Sequence, residues 1–474
     1  MGSELSGWRE CSVAELASTK RNAIVGGPFG SNLVSRDYTP QGVPVIRGQN
    51  LSWGGRYVGG EFVFVSEEKA ESLSANLATA GDLVFTQRGN AVLKGGQVAI
   101  VPEGGFERYV VSQSQMKMSP SPALADTLFL YYVFTSRDHE VYLRNNAIAT
   151  GVPHTNLGIL RDYSFSLPPL PEQHAIARIL STLDDKIELN RRMNVTLEGM
   201  AQALFKSWFV DFDPVIDNAL AAGNPIPAEL ADRAEVRRAA LADGTANRET
   251  AKPFPAAFQQ TEQLGWVPEG WEAVSINDAI EINPRLSLPK GTVATYADMK
   301  ALPTSGYAIS GVISKAYSGG SKFQNRDVLL ARITPCLENG KTGIVDFLDS
   351  ESEVGFGSTE FIVLREKGRI NLPFIACLAR EENFRLHCIQ SMVGSSGRQR
   401  VQNACFDSFH VALPADKAVL ETFTRTTEAM FRKSSDDGFT SRNLIKLRDT
   451  LLPKLISGEL RIPDAEKLAE EALA

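Results

Sequence analysis

The hydrophobic pattern is strongest between residues 168 and 212, where apolar side chains recur every seven residues in two interleaved series. No proline lies between Pro171 and Pro214. A period of 3.5 residues keeps one stripe of a helix facing a partner helix. The pattern therefore predicts a coiled-coil helix about 55 Å long. The two series are Ile176, Leu183, Asn190, Leu197 and Leu204, and Leu180, Ile187, Asn194, Ala201 and Trp208.

The same pattern returns between residues 414 and 460, where the seam is Phe423, Met430, Asp437, Leu444 and Leu451. Polar residues occupy the middle of both seams, at Asn190, Asn194, Asp437 and Ser441. A polar seam residue lowers stability but fixes register and partner, so we predict this role for the four residues. A solvated patch without consequence is the alternative. Gly438 predicts a kink or a short break in the second helix.

Each predicted long helix follows a globular segment, and the two segments share marks in the same order. The matching stretches are 7–14 and 270–277, 81–85 and 326–330, and the two segments that end in Leu167-Pro168 and Leu413-Pro414. The sequence therefore predicts a tandem repeat of a globular domain followed by a long helix. Two such halves predict long helices paired antiparallel, with the halves related by an approximate two-fold axis.

Within each globular segment, short runs rich in β-branched and aromatic residues are bounded by glycine, proline or asparagine. The runs are 43–46, 62–65, 82–86 and 98–101 in the first segment, and 327–331, 342–345 and 359–364 in the second. Helical patterns follow at 127–144 and 372–391. The fold class is therefore α+β, with two mixed α/β domains separated by two long helices that form an antiparallel coiled coil in a pseudo-two-fold tandem repeat. The predicted segments are 1–167 (first domain), 168–212 (first helix), 213–265 (linker with a short helix near 228–242), 266–413 (second domain), 414–460 (second helix) and 461–474 (acidic tail).

Composition agrees with a chain of two or more domains, since 474 residues exceed the size at which a single core stops growing. The chain is 43% hydrophobic and 22% charged, with a net charge of −7. We expect neither a signal peptide nor a membrane span, because no apolar run approaches the necessary length. The five cysteines form no CxxC pair, which indicates buried thiols in a reducing cytoplasm.

Residues that could carry catalysis do not form a recognisable site. Residues 167–170 lack the amide and the aromatic ring of an adenine-methylation motif. The stretch 339–342 ends like a phosphate-binding loop, but Pro335 stands where that loop needs its first glycine. The histidines, at positions 139, 154, 174, 387 and 410, lack metal-ligand spacing. We therefore predict no catalytic and no metal site.

Several motifs in the right order resemble one known family over residues 5–460. PPLPEQHAIARILSTLDDKIELN, ALFKSWFVDFDPV and LRDTLLPKLISGEL resemble the central and C-terminal regions of type I restriction–modification DNA specificity (S) subunits. FPAAFQQTEQLGWVPEGWE is similar to the lead-in to that family's second target recognition domain. GGPFGSNLVSRDY with VPVIRGQNL, and LLARITPCLENGKTGIV with GFGSTEFIVLR, resemble stretches within those domains.

This resemblance implies a non-catalytic subunit with double-stranded DNA as its ligand. Each target recognition domain would read one half of a bipartite, asymmetric DNA sequence, and the helices would set the gap. The expected partners are two adenine-N6 methyltransferase (M) subunits and, if present, restriction–translocase (R) subunits. S-adenosylmethionine, ATP and Mg²⁺ would be cofactors of those partners, with none in this chain. We expect a prokaryotic cytoplasmic location and no membrane partner.

DNA contacts need side chains that reach base edges or neutralise phosphates. Residues 8–166 contain 14 Lys/Arg and 14 Asp/Glu, and residues 264–412 contain 15 and 16, so binding must rest on local clusters. We predict polar and basic residues in glycine-bearing loops. They are Arg47, Gln49, Asn50, Gln87, Arg88, Asn90, Lys94, His154, Thr155 and Asn156 in the first domain, and Lys315, Lys322, Arg332, Thr334, Asn339, Lys341, Arg398, Gln399 and Arg400 in the second.

Two alternatives stay open from the sequence. The chain could serve a methylation-only or related system, or it could be a scaffold whose two domains bind proteins and read no DNA. Salt-dependent DNA binding separates the scaffold from the DNA-reading hypothesis.

Overall fold

The computed structural model describes residues 7–51, 55–149, 151–395 and 397–473. The first globular domain alternates short strands with short helices up to the first long helix. Its elements are β1 (Arg9–Ser12), α1 (Val13–Leu16), β2 (Ile24–Gly26), β3 (Tyr38–Thr39), β4 (Val43–Ile46), α2 (Gly48–Leu51), β5 (Val63–Val65), α3 (Glu67–Ser72), β6 (Leu77–Ala78), β7 (Leu83–Thr86), β8 (Val98–Ile100), β9 (Tyr109–Val111), β10 (Gln115–Met118), α4 (Thr127–Thr135), α5 (Arg137–Asn146), α6 (Leu157–Asp162) and β11 (Ser164–Leu167).

The first long helix and the linker come next, and the second domain and second long helix follow them. The first long helix is α7 (Leu170–Phe209). The linker region comprises α8 (Asp213–Ala222), α9 (Ala231–Ala242), α10 (Arg248–Ala251), β12 (Phe258–Thr261) and β13 (Gly265–Pro268). The remaining elements are β14 (Trp271–Ser275), α11 (Ile276–Ala279), β15 (Glu281–Ile282), β16 (Val293–Ala297), β17 (Ile313–Ala316), β18 (Lys322–Phe323), β19 (Val328–Ala331), β20 (Thr342–Ile344), β21 (Gly355–Gly357), β22 (Phe361–Arg365), α12 (Leu372–Arg380), α13 (Glu382–Gln390), α14 (Cys405–Ser408), β23 (His410–Pro414), α15 (Lys417–Ile456) and α16 (Ile462–Leu473).

The sheets of the two domains correspond, except that β3 has no counterpart among the described residues of the second domain. The pair β1–β11 corresponds to β14–β23, and the sheet β2–β10–β7–β8 corresponds to β15–β22–β19–β20. The sheet β3–β5–β4–β9–β6 has its counterpart in β17–β16–β21–β18, and both contain one parallel pair, β4 with β9 and β16 with β21. The α+β class and the tandem repeat predicted from sequence are confirmed.

A buried aspartate precedes the central strand in each domain. Asp82 accepts a hydrogen bond from the Thr79 amide at 3.0 Å and lies 3.1 Å from Lys117 Nζ. Asp327 accepts from the Gln324 amide at 2.7 Å and forms a two-point ion pair with Arg365. The shared sequence mark before these strands is therefore a turn fixed by a paired carboxylate.

The helical stretches after the sheets are each broken once, whereas the sequence predicts single pieces. Ser136 separates α4 from α5, and its hydroxyl accepts a hydrogen bond from the His139 amide. Glu381 separates α12 from α13, and its carboxylate accepts from the Phe384 amide at 2.8 Å. Both breaks arise because a capping side chain satisfies the first free N–H of a new helix.

The chain divides into two compact units, and the division falls within both long helices. The first unit contains residues 1–189 and 440–474, and the second contains residues 190–439. In the first unit, Leu180 and Leu183 of α7 share a core with Leu444 and Leu451 of α15.

The second unit has its own core, in which α7 and α15 pack antiparallel. Phe205 and Trp208 contact Phe423 with ring centroids 6.2 and 5.9 Å apart. Asn190 Nδ2 donates to the Asp437 carbonyl oxygen at 3.4 Å, and Asn194 Nδ2 donates to that of Ser434 at 3.0 Å. The contacts advance along one helix while they retreat along the other, as an antiparallel pair requires.

The predicted break at Gly438 is wrong, since α15 is one continuous α-helix. Its neighbour Asp437 is buried on the seam and pairs with Lys433 one turn earlier. A glycine in a helix costs about 1 kcal/mol, which tertiary packing on both sides of the position outweighs.

The acidic C-terminal segment is also ordered, as helix α16. Its Ala465 and Ala469 are buried in the core of the first unit, and Glu466 forms an ion pair with Arg178. No helix in the described part of the chain is long and apolar enough to cross a membrane.

Candidate functional site

Three loops meet beyond the end of β7 in the first domain. The Gln87 amide donates to the Ser114 carbonyl oxygen at 2.8 Å, and the Thr155 amide donates to the Gln87 carbonyl oxygen at 2.9 Å. The Gly89 amide donates to the Pro153 carbonyl oxygen at 2.8 Å. These bonds join the loops 87–90, 112–115 and 152–156 into one polar surface, which we call the first loop junction.

The second domain repeats this arrangement beyond β19. The Arg332 amide donates to the Glu360 carbonyl oxygen at 3.0 Å, the Val401 amide to Arg332 at 2.9 Å, and the Thr334 amide to Gln399 at 3.1 Å. We call this surface, formed by residues 332–336, 358–360, 393–395 and 397–401, the second loop junction. Residues that make the same main-chain hydrogen bonds occupy equivalent positions in the two domains. The equivalent residues are Gln87 and Arg332, Gly89 and Thr334, Ser114 and Glu360, Pro153 and Gln399, His154 and Arg400, and Thr155 and Val401.

Four predicted contact residues of the first domain build its loops, and three of them are buried while Asn156 is exposed. Asn50 is fully buried, accepts from the Arg47 amide at 2.9 Å and donates to the carbonyl oxygens of Gly59 and Glu61 at 2.9 Å. Gln87 and Thr155 are also buried. Asn156 accepts from the Ile159 amide at 3.0 Å and thereby caps α6. These four side chains shape the surface on which the accessible ones stand.

Other predicted residues of the first domain remain accessible. Arg88 and Asn90 are exposed on the first loop junction, and His154 is half-buried beside Arg88. Lys94 is exposed on the turn after Asn90. Gln49 is exposed on α2, and Arg47 lines a separate shallow pocket of about 450 Å³.

In the second domain, several predicted side chains hold the main chain. Lys322 Nζ donates to the Leu286 carbonyl oxygen and Lys341 Nζ to that of Met299, both at 2.6 Å. Arg332 Nη2 donates to the Val401 carbonyl oxygen at 2.7 Å, and Thr334 Oγ1 accepts from the Gln399 amide at 3.1 Å. Arg332 and Thr334 thus fasten the second loop junction from within.

The remaining predicted residues of the second domain divide between two places. Arg398, Gln399 and Arg400 lie together on the second loop junction, where Arg400 pairs with Glu360. Asn339 is exposed on the turn before β20. Lys315 lies on β17 in the other sheet, with its Nζ 4.3 Å from the centre of the Tyr296 ring.

Sequence reasoning missed the polar loop between β9 and β10. Gln113 Nε2 donates to the Leu33 carbonyl oxygen at 2.8 Å, and this loop lines the Arg47 pocket together with residues 30–38. Its counterpart, Glu360, was missed as well. The available signal was a short polar run, Ser112–Gln115, between two buried strands, but nothing in that run says which loops it meets.

A cavity of about 170 Å³ lies behind the first loop junction, where His139 and Thr155 are among its lining residues. His139 is packed between the rings of Phe134 and Tyr163 at 5.2 and 4.8 Å. Burial lowers the pKa of His139 to about 4, so the imidazole is neutral at neutral pH. No group of residues in the described ranges could hold a metal ion.

Comparison with known proteins finds similarity to one family. Residues 33–199 match the family model of the type I restriction modification DNA specificity domain. The chain is 24% identical over 405 residues to the type I restriction enzyme HindI specificity subunit of Haemophilus influenzae, covering 80% of this chain and 86% of the relative. It is 21% identical over 463 residues to the MjaIX specificity subunit of Methanocaldococcus jannaschii, covering 93% and 92%.

A solved structure shares the fold. The S subunit of the type I restriction–modification system of M. genitalium superposes with a TM-score of 0.51 at 13% identity, covering 96% of this chain and 97% of that one. At this level of identity the likeness concerns the fold alone. Together with the matched domain, it accounts for a duplicated α+β domain joined to long helices.

Proposed function

We propose, from the membership of this chain in the family of type I restriction–modification specificity subunits, that its two domains read the two halves of a bipartite DNA sequence. The chain is the non-catalytic, DNA-specifying component of such a system. Each loop junction is the surface that faces the bases, and the accessible polar side chains on it make the sequence-dependent contacts.

The pairing of the two loop junctions carries this proposal. The same main-chain hydrogen bonds build both surfaces, yet every matched pair of side chains differs, as His154 and Arg400 illustrate. A common frame with different side chains supports two domains that do the same task on different sequences. Base edges in the major groove offer distinct patterns of donors and acceptors, so different side chains select different bases.

The long helices act as the spacer between the two half-sequences. Seam contacts through Asn190 and Asn194 fix the helices against longitudinal slip within the second unit, because a one-turn shift would bury these amides among apolar side chains. On α15, the Asp437 carbonyl oxygen accepts from Asn190, and Ser441 lies one turn further along the helix. A fixed register gives a fixed spacing, which a split recognition sequence requires.

Two M subunits bind this chain, and R subunits join where the host has them. S-adenosylmethionine, ATP and Mg²⁺ are used by those partners. The contribution of this chain is to choose where on the duplex the methyltransferase acts.

Mapping methylated adenines in DNA exposed to the assembled complex tests the proposal most directly. We expect two short, unlike sequences separated by a constant number of base pairs. Loss of affinity with rising salt accompanies this result, because phosphate contacts release counterions. A protein-binding scaffold would give neither a methylation pattern set by this chain nor salt-dependent DNA binding.

Lengthening the spacer tests the role of the helices. Four residues inserted at matched places in α7 and α15 add about 6 Å, close to two base-pair steps of about 3.4 Å. We expect a wider gap with both half-sequences kept. If the bases read were altered while the gap stayed the same, the helices would not be the spacer.

A further inference from the structure

Arg400 stands on the second loop junction in a fixed position. Its amide and carbonyl groups both bond to Val393 at 3.0 Å. Its guanidinium forms a forked contact with Glu360, with Nε at 2.9 Å from both carboxylate oxygens and Nη2 at 2.7 Å from Oε1. Glu360 is held too, because its carbonyl oxygen accepts from the Arg332 amide at 3.0 Å.

The ion pair leaves one end of the guanidinium available. Glu360 takes the Nε edge, and the opposite edge still carries N–H groups. The Arg400 side chain is 45% exposed, whereas that of Glu360 is 20% exposed. The carboxylate is therefore the more buried partner, and the Arg400 side chain remains partly accessible.

A guanidinium held in this way suits a base better than a phosphate. A phosphate contact draws its energy from net positive charge and counterion release, and Glu360 cancels that charge. Base reading depends on the direction of the donors, which Glu360 fixes. A bidentate contact from arginine to O6 and N7 of guanine is the commonest specific contact in the major groove.

We infer that Arg400 reads a guanine in the half-sequence bound by the second domain and that Glu360 is the positioning residue that aims it. This inference rests on the proposed function. It specifies which base is read, which side chain contacts that base and which residue positions the side chain. Arg398, two residues away, is exposed and makes no side-chain hydrogen bond or ion pair with the described residues, so it contacts phosphate instead.

The first domain lacks an arginine–glutamate ion pair at the equivalent positions. His154 stands in place of Arg400, and Ser114 in place of Glu360. His154 Nδ1 lies 3.1 Å from the Val152 carbonyl oxygen, so the main chain of its own loop holds this ring in place of a carboxylate. The inference therefore concerns the second half-sequence alone.

The test uses the complex of this chain with its methyltransferase partner and a duplex library in which only the second half-sequence is randomised. Binding is selected and sequenced for the wild-type chain, Arg400→Lys, Glu360→Gln and Arg398→Ala, at several salt concentrations. A second library, in which only the first half-sequence is randomised, reports through an unchanged preference whether each variant is folded and docked.

Arg400→Lys keeps the charge and loses the fork, so we expect guanine preference at one position to fall roughly 5- to 150-fold with the salt slope unchanged. We expect Glu360→Gln to weaken the same preference and to raise affinity for sequences without that guanine, since it unmasks the Arg400 charge. Arg398→Ala should lower affinity for all sequences alike and reduce the salt slope by about 1.

Other outcomes overturn the inference. An unchanged guanine preference in Arg400→Lys would make Arg400 a phosphate contact. An unchanged preference in Glu360→Gln would remove the positioning role. Absence of any sequence preference in the wild-type complex would instead contradict the proposed function itself, and the two failures are therefore distinguishable.

Discussion

At the scale of single residues, paired charges below the surface fix the strand that leads to each loop junction. Asp82 and Lys117 are both less than a tenth exposed and bond to each other. A buried ion pair adds little net stability, but removal of one partner leaves the other charge buried and unpaired, which is strongly destabilising. The importance of the pair for stability therefore lies in the unpaired buried charge that loss of one partner would create.

Lys117→Met should destabilise the first unit by about 3–5 kcal/mol, because it leaves the Asp82 carboxylate buried without its cation. Thermal unfolding measures the loss. The double variant Asp82→Asn with Lys117→Met is the control, and it should regain much of the stability because no buried charge remains. Equal stabilities for the single and double variants would contradict this account.

His139 should make the stability of the first unit depend on pH. Its folded-state pKa of about 4 lies below the unfolded value of about 6.5, so the unfolded chain binds more protons between these values. Stability is therefore complete above about pH 6.5 and falls as the pH drops toward 4, by on the order of 3 kcal/mol.

Unfolding measured across this pH range in the wild-type chain and in His139→Phe isolates the effect. Phenylalanine fills the space between Phe134 and Tyr163 and does not titrate. We expect a shallower pH dependence in the variant. The same slope in both proteins would assign the dependence to other groups.

At the scale of elements, the seven-residue period and the duplicated marks predicted the long helices and the repeat, and the β-branched runs predicted some of the strands, such as β4, β7 and β19. Every predicted seam residue of α7 is buried or half-buried. The helix breaks at Ser136 and Glu381 were missed because a capping side chain inside an apolar stretch looks like an ordinary polar position. The site was less predictable, because Asn50 and Lys341 have the composition of contact residues but bond to their own main chain.

Helix α16 offers a test of what the acidic C-terminal segment does. Ala469→Asp together with Ala465→Asp places two carboxylates in the core of the first unit, where both positions are now buried. We expect α16 to detach, since burial of unpaired charge costs several kcal/mol. Lys467→Asp, at a side chain that is 77% exposed, is the matched control.

Hydrogen exchange reports the result. The amides of α16 should exchange rapidly in the double variant, while those of the control stay protected as in the wild type. Continued protection of α16 in the double variant would show that the alanine face does not hold the helix.

At the scale of the whole molecule, the two units have separate cores and separate loop junctions. A change on one junction should therefore affect one half-sequence only. Arg88→Ala, on the first junction, should cost about 1–3 kcal/mol at one position of the first half-sequence if Arg88 contacts a base. Methylation mapping by the variant complex should show the second half-sequence unchanged.

A change in both half-sequences would mean that the units do not read independently. Arg21→Ala, at an exposed arginine in the turn before β2, serves as a control of equal charge outside the loop junction. It should leave both half-sequences as they are.

The first unit is assembled from segments at the two ends of the chain, and this has a consequence for biosynthesis. Ile176 and Leu180 emerge from the ribosome early, but the residues that cover them, such as Leu451 and Leu455, are translated more than 200 residues later. The nascent polypeptide must therefore carry an uncovered apolar helix face until translation is nearly complete. A message truncated late in the reading frame would yield a product open to chaperone capture and proteolysis, even though both loop junctions had already been made.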